Sequence, residues 1–254
     1  MTEIDRAATP QEEMSRSTFK RSRVGAPGCA RAAAPMATAV VVTRCIHSAS
    51  LTGLRAISNV RTVEQVGVTT RYWTRAEYER LVDGGFFRPD EPIELVGGRL
   101  IVSEPQGSSH AVAVGLTSEA LRAAFGPGWV IREEKPVALD DDSEPEPDLA
   151  VVPGTHRDYS TAHPARPVLV VEVAETSLAW DRGEKGSLYA RARIGDYWIV
   201  NLIARVLEVY RNPVPDPLAP HGWRYGSAET FLPPSATSPQ SLPGAHIPVA
   251  GLLP

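Results

Sequence analysis
The run Val168-Leu169-Val170-Val171-Glu172-Val173 is apolar at five of its six positions. A strand with one wet face alternates polar and apolar residues. This one does not, so it belongs inside a sheet that is covered on both faces. The single exception, Glu172, is therefore as informative as the run around it. An ionised carboxylate in such a place is costly unless it is paired or holds a metal ion.

The flanking sequence supplies the cover. Thr74, with Glu77 three residues on, carries a capping-box signature and opens a short helix through Leu81 that Gly84-Gly85 ends. Ile93–Val96 and Arg99–Val102 flank Gly97-Gly98, which predicts a hairpin. From His110 to Phe125 a helix is expected, with Val112, Leu116, Ala120, Leu121 and Ala124 at helical spacing and Gly126-Pro127-Gly128 as its stop. Strand-like runs follow at Val130–Leu139 and Leu149–Val152, ahead of the central one. A helix is predicted from Asp181 to Arg193, with Gly195 as its terminator, and then strands at Tyr197–Leu202 and Val206–Tyr210. Ten prolines in the last 42 residues make the remainder extended or irregular. The order helix, strands, helix, strands, helix, strands describes an α/β (α+β) domain: a mixed sheet with helices packed on it.

Asp148 follows Pro147 at the start of a predicted strand, where adjacent strands bring it beside Glu172. Two carboxylates about 5 Å apart repel by roughly 3 kcal/mol at an effective dielectric near 20. A proton, a basic side chain or a divalent cation relieves that repulsion; a buried Glu bridged to an Arg is the plainer alternative. Lys185 bears on the choice. It shares one stripe of the predicted helix with Leu188, Tyr189 and Ala192, and so lies on the face that packs on the sheet. There it either aims its amine at the carboxylates, or snorkels to water, or pairs with Asp181 four residues back. Beside two carboxylates and a cation, a lysine orients the attacking water of phosphodiester cleavage or stabilises charge growing on phosphorus. Glu94 is either a third carboxylate or an exposed strand residue. His110 opens its helix in a capping or neutral role, and Tyr197-Trp198 read as core aromatics rather than a base-stacking platform. GxSxG, GxxxxGK[ST], HExxH and GxGxxG are all missing, which sets aside serine-hydrolase, P-loop, zincin and dinucleotide readings.

Charge divides the chain. Through Val68 there are nine Lys/Arg against five Asp/Glu, which leaves 17 against 25 for the rest. An acidic body argues against tight non-specific duplex binding, while a carboxylate cluster attracts a metal ion. Residues 1–68 lack periodicity and have no acidic residue between Met14 and Val63. They are expected to be a disordered basic tail, a targeting segment, or an over-extended start ahead of Met36. Both cysteines, Cys29 and Cys45, lie there without metal or disulfide spacing, and the cysteine-free body suits a reducing cytosol. No apolar run is long enough to span a bilayer.

Several of these strings, taken together and in order, are similar to one family. Ile93-Glu94-Leu95-Val96-Gly97-Gly98-Arg99-Leu100, Glu104-Pro105 with His110, Pro147-Asp148-Leu149 and Val171-Glu172-Val173 are the first set. Asp181-Arg182-Gly183-Glu184-Lys185, Asp196-Tyr197-Trp198-Ile199-Val200 and Leu242-Pro243-Gly244 complete it. The chain from about Thr69 to Leu253 resembles the Uma-type restriction endonuclease family of the PD-(D/E)XK superfamily. The resemblance implies a restriction-endonuclease-like fold over residues 69–254 and Mg²⁺ (or Mn²⁺) on Asp148 and Glu172, with Glu94 as auxiliary ligand. It implies Lys185 as the catalytic lysine, migrated from the position two after the Glu, where this chain has Ala174. The family's Ser-Pro-Ser/Thr segment is replaced here by Ala174-Glu175-Thr176-Ser177. The expectation is then a cytoplasmic, Mg²⁺-dependent endonuclease acting on nucleic acid, DNA foremost, as a monomer or homodimer and away from membranes. An inactive member of the fold serving as a binding or regulatory module is the alternative.

Overall fold
The computed structural model describes residues 64–65, 68–88, 91–103 and 105–254. The readings made of the tail through Val63, including Cys29, Met36 and Cys45, and of Glu104 lie outside the described residues. Two-residue strands β1 (Glu64–Gln65) and β2 (Val68–Thr69) pair antiparallel across the expected boundary at Thr69.

Helix α1 (Arg75–Asp83) starts on the expected capping box, with Thr74 and Glu77 bonded reciprocally. Its Tyr78 hydroxyl donates to the Ile93 carbonyl at 2.7 Å and so docks the helix on the following hairpin. That hairpin is β3 (Ile93–Val96) and β4 (Arg99–Val102). Gly97 and Gly98 both take positive φ, and a Cβ on Gly98 would meet Tyr72 at 2.9 Å, so the turn needs glycine.

Helix α2 (Ser108–Phe125) leads into a six-stranded sheet ordered β10-β9-β8-β7-β6-β5. Its strands are β5 (Trp129–Glu133), β6 (Leu149–Pro153), β7 (Leu169–Ala174), β8 (Asp196–Asn201), β9 (Val206–Pro215) and β10 (Trp223–Phe231). All neighbours are antiparallel except β7 and β8, which the crossover between them makes parallel. As the apolar run required, β7 is interior and buried at all six positions. Its odd residues Leu169, Val171 and Val173 pack with Leu121 and Phe125 of α2. Its even residues Val170 and Ala174 pack with Tyr189 and Ala190 on the other face. The crossover consists of α3 (Leu178–Trp180), a π-helical turn (Asp181–Lys185) and α4 (Gly186–Arg191). Strands β11 (Ala236–Thr237) and β12 (Ile247–Pro248) close the chain, with a 3₁₀ turn Val249–Leu252 packed over the α2 face.

Four expectations are corrected. The buried stripe of α2 is His110, Ala113, Val114, Thr117, Ser118, Leu121 and Phe125; Val112 is exposed, because Thr117 and Ser118 take the inner face. The Val130–Leu139 strand stops at Glu133, where Glu134 adopts φ 47° and leaves the ladder. The Asp181–Arg193 helix begins at Leu178, contains the π turn, and is ended by Arg193 (φ 59°) rather than Gly195. The proline-rich end contributes a nine-residue strand, β10. Pro213 and Pro215 are tolerated in β9 because β8 pairs only with Val206–Arg211, so both lie on an overhang with one edge free.

Candidate active site
The register of β6 on β7 sets Leu149 against Val171. One further step of that ladder carries Asp148 to Glu172, and both side chains are buried. The Asp148 backbone N–H donates to Glu172 Oε2 at 3.2 Å, and Asp148 Oδ2 accepts from the Val173 N–H at 2.6 Å. The juxtaposition expected of the two carboxylates is therefore the arrangement the fold holds.

Glu94 arrives from a different sheet. The β3–β4 hairpin is fastened by a bridge between Leu95 and Glu144, with backbone bonds in both directions. The stretch beyond that bridge leads straight to Pro147 and Asp148. Glu94 Oε2 accepts from the Glu146 N–H at 2.9 Å and is sealed at 3% exposure, so it is no exposed strand residue.

Lys185 completes the cluster from above β7. Its Nζ lies 3.0 Å from Glu172 Oε1 and 3.3 Å from Glu94 Oε2, so neither snorkelling nor a bond to Asp181 describes it. The π turn aims it there. Widening the helix by one residue shifts Lys185 relative to α4, and the Asp181 carbonyl accepts both the Gly186 N–H and the Tyr197 hydroxyl, the latter at 3.0 Å. Gly186 permits this approach: a Cβ would stand 3.2 Å from the Asp181 oxygen. Tyr189, one turn on from Lys185, donates to Glu172 Oε1 at 2.7 Å.

Burial opposes the charge on Lys185, but the adjacent Glu172 and Glu94 outweigh it and hold the ammonium well above the ordinary lysine range. Burial pushes Glu172 up despite Lys185, with Asp148 adding to the rise. Burial likewise raises the Asp181 carboxyl to about 6, against the pull of Lys185 and a hydrogen bond from Ser177. Tyr189 is buried beside Glu172 and stays protonated, a donor only.

Sequence reasoning ranked His110 low, and the structure brings it in. Its Nε2 lies 3.2 Å from Asp148 Oδ2, and that contact raises its pKa against the opposing effect of burial. Tyr189, Asp181 and Gln106 were missed as site residues. Tyr189 stood on the Lys185 stripe and was read as packing alone; the i, i+4 spacing to Lys185 was the usable signal. Tyr197 and Trp198 are fully buried core residues, as expected. Glu184 is held by Arg99.

These groups open onto a cleft of about 650 Å³, lined by Glu94, Glu146, Asp148, Glu172, Glu175 and Asp181. Lys185 is the one Lys or Arg among its lining residues. Among the described residues no three acidic or histidine side chains converge tightly enough to enclose an ion as they stand. The Lys185 ammonium bridges two of the three candidates. Oxygen donors of this kind suit Mg²⁺ chemically, and Mg²⁺ is usually held by one or two carboxylates with water and substrate phosphate completing the shell. No helix among the described residues is long and apolar enough to cross a membrane.

The Uma2 family, described as "Putative restriction endonuclease", matches residues 75–250. Among solved structures the chain is similar to "a putative nuclease belonging to DUF820" from Anabaena variabilis ATCC 29413. The two share 14% identity at a TM-score of 0.51, over 70% of this chain and 96% of that one, a likeness of fold. No curated protein matches the chain.

Proposed function
Because the chain belongs to the Uma2 family, we propose that it is a nuclease that uses Mg²⁺ or Mn²⁺, with Asp148, Glu172 and Glu94 as metal ligands and Lys185 as its catalytic lysine. The family and the nuclease-like fold support a phosphodiester of nucleic acid as the substrate. One observation carries the finer reading: a single ammonium is set among Glu94, Asp148 and Glu172, with Asp181 close by. Such an excess of buried negative charge is costly, and protons or a cation must offset it.

The chemistry a divalent ion supplies when bound is that of a Lewis acid, which draws charge from the scissile phosphate and eases deprotonation of the attacking water. The protein's own residues do the rest. The Val173 N–H and His110 fix one Asp148 oxygen and leave Oδ1 with only a 3.4 Å contact from Gln106. Tyr189 and the Asp148 N–H clamp Glu172 from two sides. Lys185, kept cationic, donates to the water or to a non-bridging phosphate oxygen as charge grows.

The test is cleavage of single- and double-stranded DNA and RNA by the full chain with Mg²⁺, with Mn²⁺ and with chelator. Divalent-dependent cleavage that Asp148→Asn abolishes is the expected result. If the wild type cuts no nucleic acid under any of these conditions, the nuclease reading fails and a non-catalytic binding module replaces it.

A further inference from the structure
The cleft has an apolar wall beside its carboxylate floor. Ile101, Val102 and Pro105 line it together with Trp180, which the crossover supplies. Trp180 is half-buried and sits one turn before Lys185. The Arg99 guanidinium lies 5.6 Å from its ring centroid, a cation–π contact, and is itself tied to Glu184. The indole is thereby braced on the cleft that also holds Lys185 and the carboxylates.

The electrostatics narrow what the indole could receive. A duplex is gripped by several Lys and Arg side chains neutralising phosphates along its backbone. This cleft offers one lysine, itself committed to two glutamates, against six acidic residues. Its volume of about 650 Å³ suits one drug-sized group, which is the scale of one nucleotide. Proteins hold single strands with a cationic groove and with aromatics on which bases stack. Few cations line this cleft, so the stack on an unpaired base's free π-face is the contact that distinguishes the strand states.

Resting on the nuclease reading above, we infer that the substrate is an unpaired nucleotide, in a single strand or a frayed end, whose base stacks on Trp180 while its phosphate meets Lys185. The apolar wall then shields the far side of the base. Specificity is for strand state and not for sequence, because stacking reads no base edge.

Two measurements on the full chain test this. Cleavage in Mg²⁺ is compared for a single-stranded oligonucleotide and its duplex, and binding of both is followed by fluorescence anisotropy in Ca²⁺. The wild type is expected to favour the single strand at least 10-fold in both. Trp180→Ala should cost about 5- to 100-fold on the single strand, mainly in KM, the scale of one lost stack. Trp180→Phe should recover most of that, which separates stacking from disturbance of the crossover. On an oligonucleotide lacking the base beside the scissile phosphate, Trp180→Ala should cost nothing further. A duplex bound and cut as well as the single strand, or Trp180→Ala equal to wild type, overturns the inference and leaves the nuclease reading standing. If the wild type cuts nothing, the nuclease reading falls and the anisotropy decides the inference alone: Trp180-dependent single-strand binding sustains it, and binding without that dependence, or none, ends it.

Discussion
Glu172 and Glu208 stand in one row of the sheet, with Ile199 paired to both, and they are sealed to similar degrees, 3% and 5% exposed. Their surroundings differ in charge. Glu208 accepts from two guanidinium nitrogens of Arg182, Nε at 2.9 Å and Nη2 at 2.6 Å, from the Asn201 amide at 2.7 Å and from the Tyr210 hydroxyl at 2.7 Å. One cation answers one anion, and although burial works against the carboxylate, those donors outweigh it and lower its pKa. Burial raises the pKa of Glu172; the ammonium it shares with Glu94 pulls it back, and Asp148 opposite adds to the rise. Low solvent exposure alone does not separate the two carboxylates; the depth of burial and the charge of the surrounding donors do.

The sharpest way to break that contrast is to remove each cation in turn. Lys185→Ala is expected to cut Mg²⁺-dependent cleavage by about 10²-fold or more, the scale of a lost transition-state donor. Its melting temperature in Mg²⁺ should hold or rise, since the bound ion neutralises the carboxylates while the buried ammonium's desolvation cost is removed. Arg182→Ala should do the reverse: activity near wild type and a loss of about 1–2 kcal/mol, because Glu208 keeps Asn201 and Tyr210 as partners while Arg182 is half exposed. Paired cleavage assays and thermal melts read both. Equal activity losses in the two variants would erase the distinction.

Metal titration probes the same contrast next. At about 100-fold over its Kd, a ligand that binds only the folded state stabilises it by about 2.7 kcal/mol. Millimolar Mg²⁺ or Mn²⁺ should therefore raise the melting temperature by several degrees in the wild type and in Glu208→Gln. It should leave Asp148→Asn unmoved. A wild-type curve indifferent to both ions counts against the metal site.

How much of this the sequence carried depended on the range of the cause. Capping box, Gly-Gly hairpin and apolar β7 run are local, and each stands where the residues put it. The trio Asp148, Glu172 and Lys185 was legible because one charge in an apolar run demands partners, and helical periodicity put Lys185 on the buried face. The π turn was not legible: Gly183 weakens a helix over Asp181–Lys185 without specifying a π turn, and the Tyr197 hydroxyl that answers the Asp181 carbonyl comes from β8. Strand β10 was hidden by prolines whose tolerance rests on an overhang visible only in the register. Glu94 stayed ambiguous because its hydrogen-bond partner is the Glu146 N–H, 52 residues away. These misses share one property: a tertiary contact overrode a local preference.

That reading of the π turn gives a smaller effect to measure. Tyr197→Phe removes one hydroxyl and leaves the stacked ring in place. It should lower cleavage about 10-fold by letting the turn relax and Lys185 drift, and cost about 1 kcal/mol. Loss of stability without loss of activity in cleavage assays would make the hydroxyl structural only.

The last contrast is one of sign, and it separates the two glutamates most cleanly. In chelator, the rise of Glu172 from 4.5 to about 8 means that the folded state binds its proton more tightly than the unfolded chain. Its stabilising contribution is then whole below about pH 4.5 and is lost as pH climbs through about 8. For Glu208 the folded pKa is depressed, so its contribution is present above about 4.5 and is lost as pH falls through the lower folded value. Chemical denaturation between pH 3 and 9 should show an alkaline decline that Glu172→Gln flattens and an acid decline that Glu208→Gln flattens. Excess Mg²⁺ should remove only the alkaline decline, because a cation among Glu94, Asp148 and Glu172 does the work the proton did. An alkaline limb unchanged by both Glu172→Gln and Mg²⁺ would mean that Lys185 already balances its neighbours, and the excess charge on which the metal reading depends would be gone.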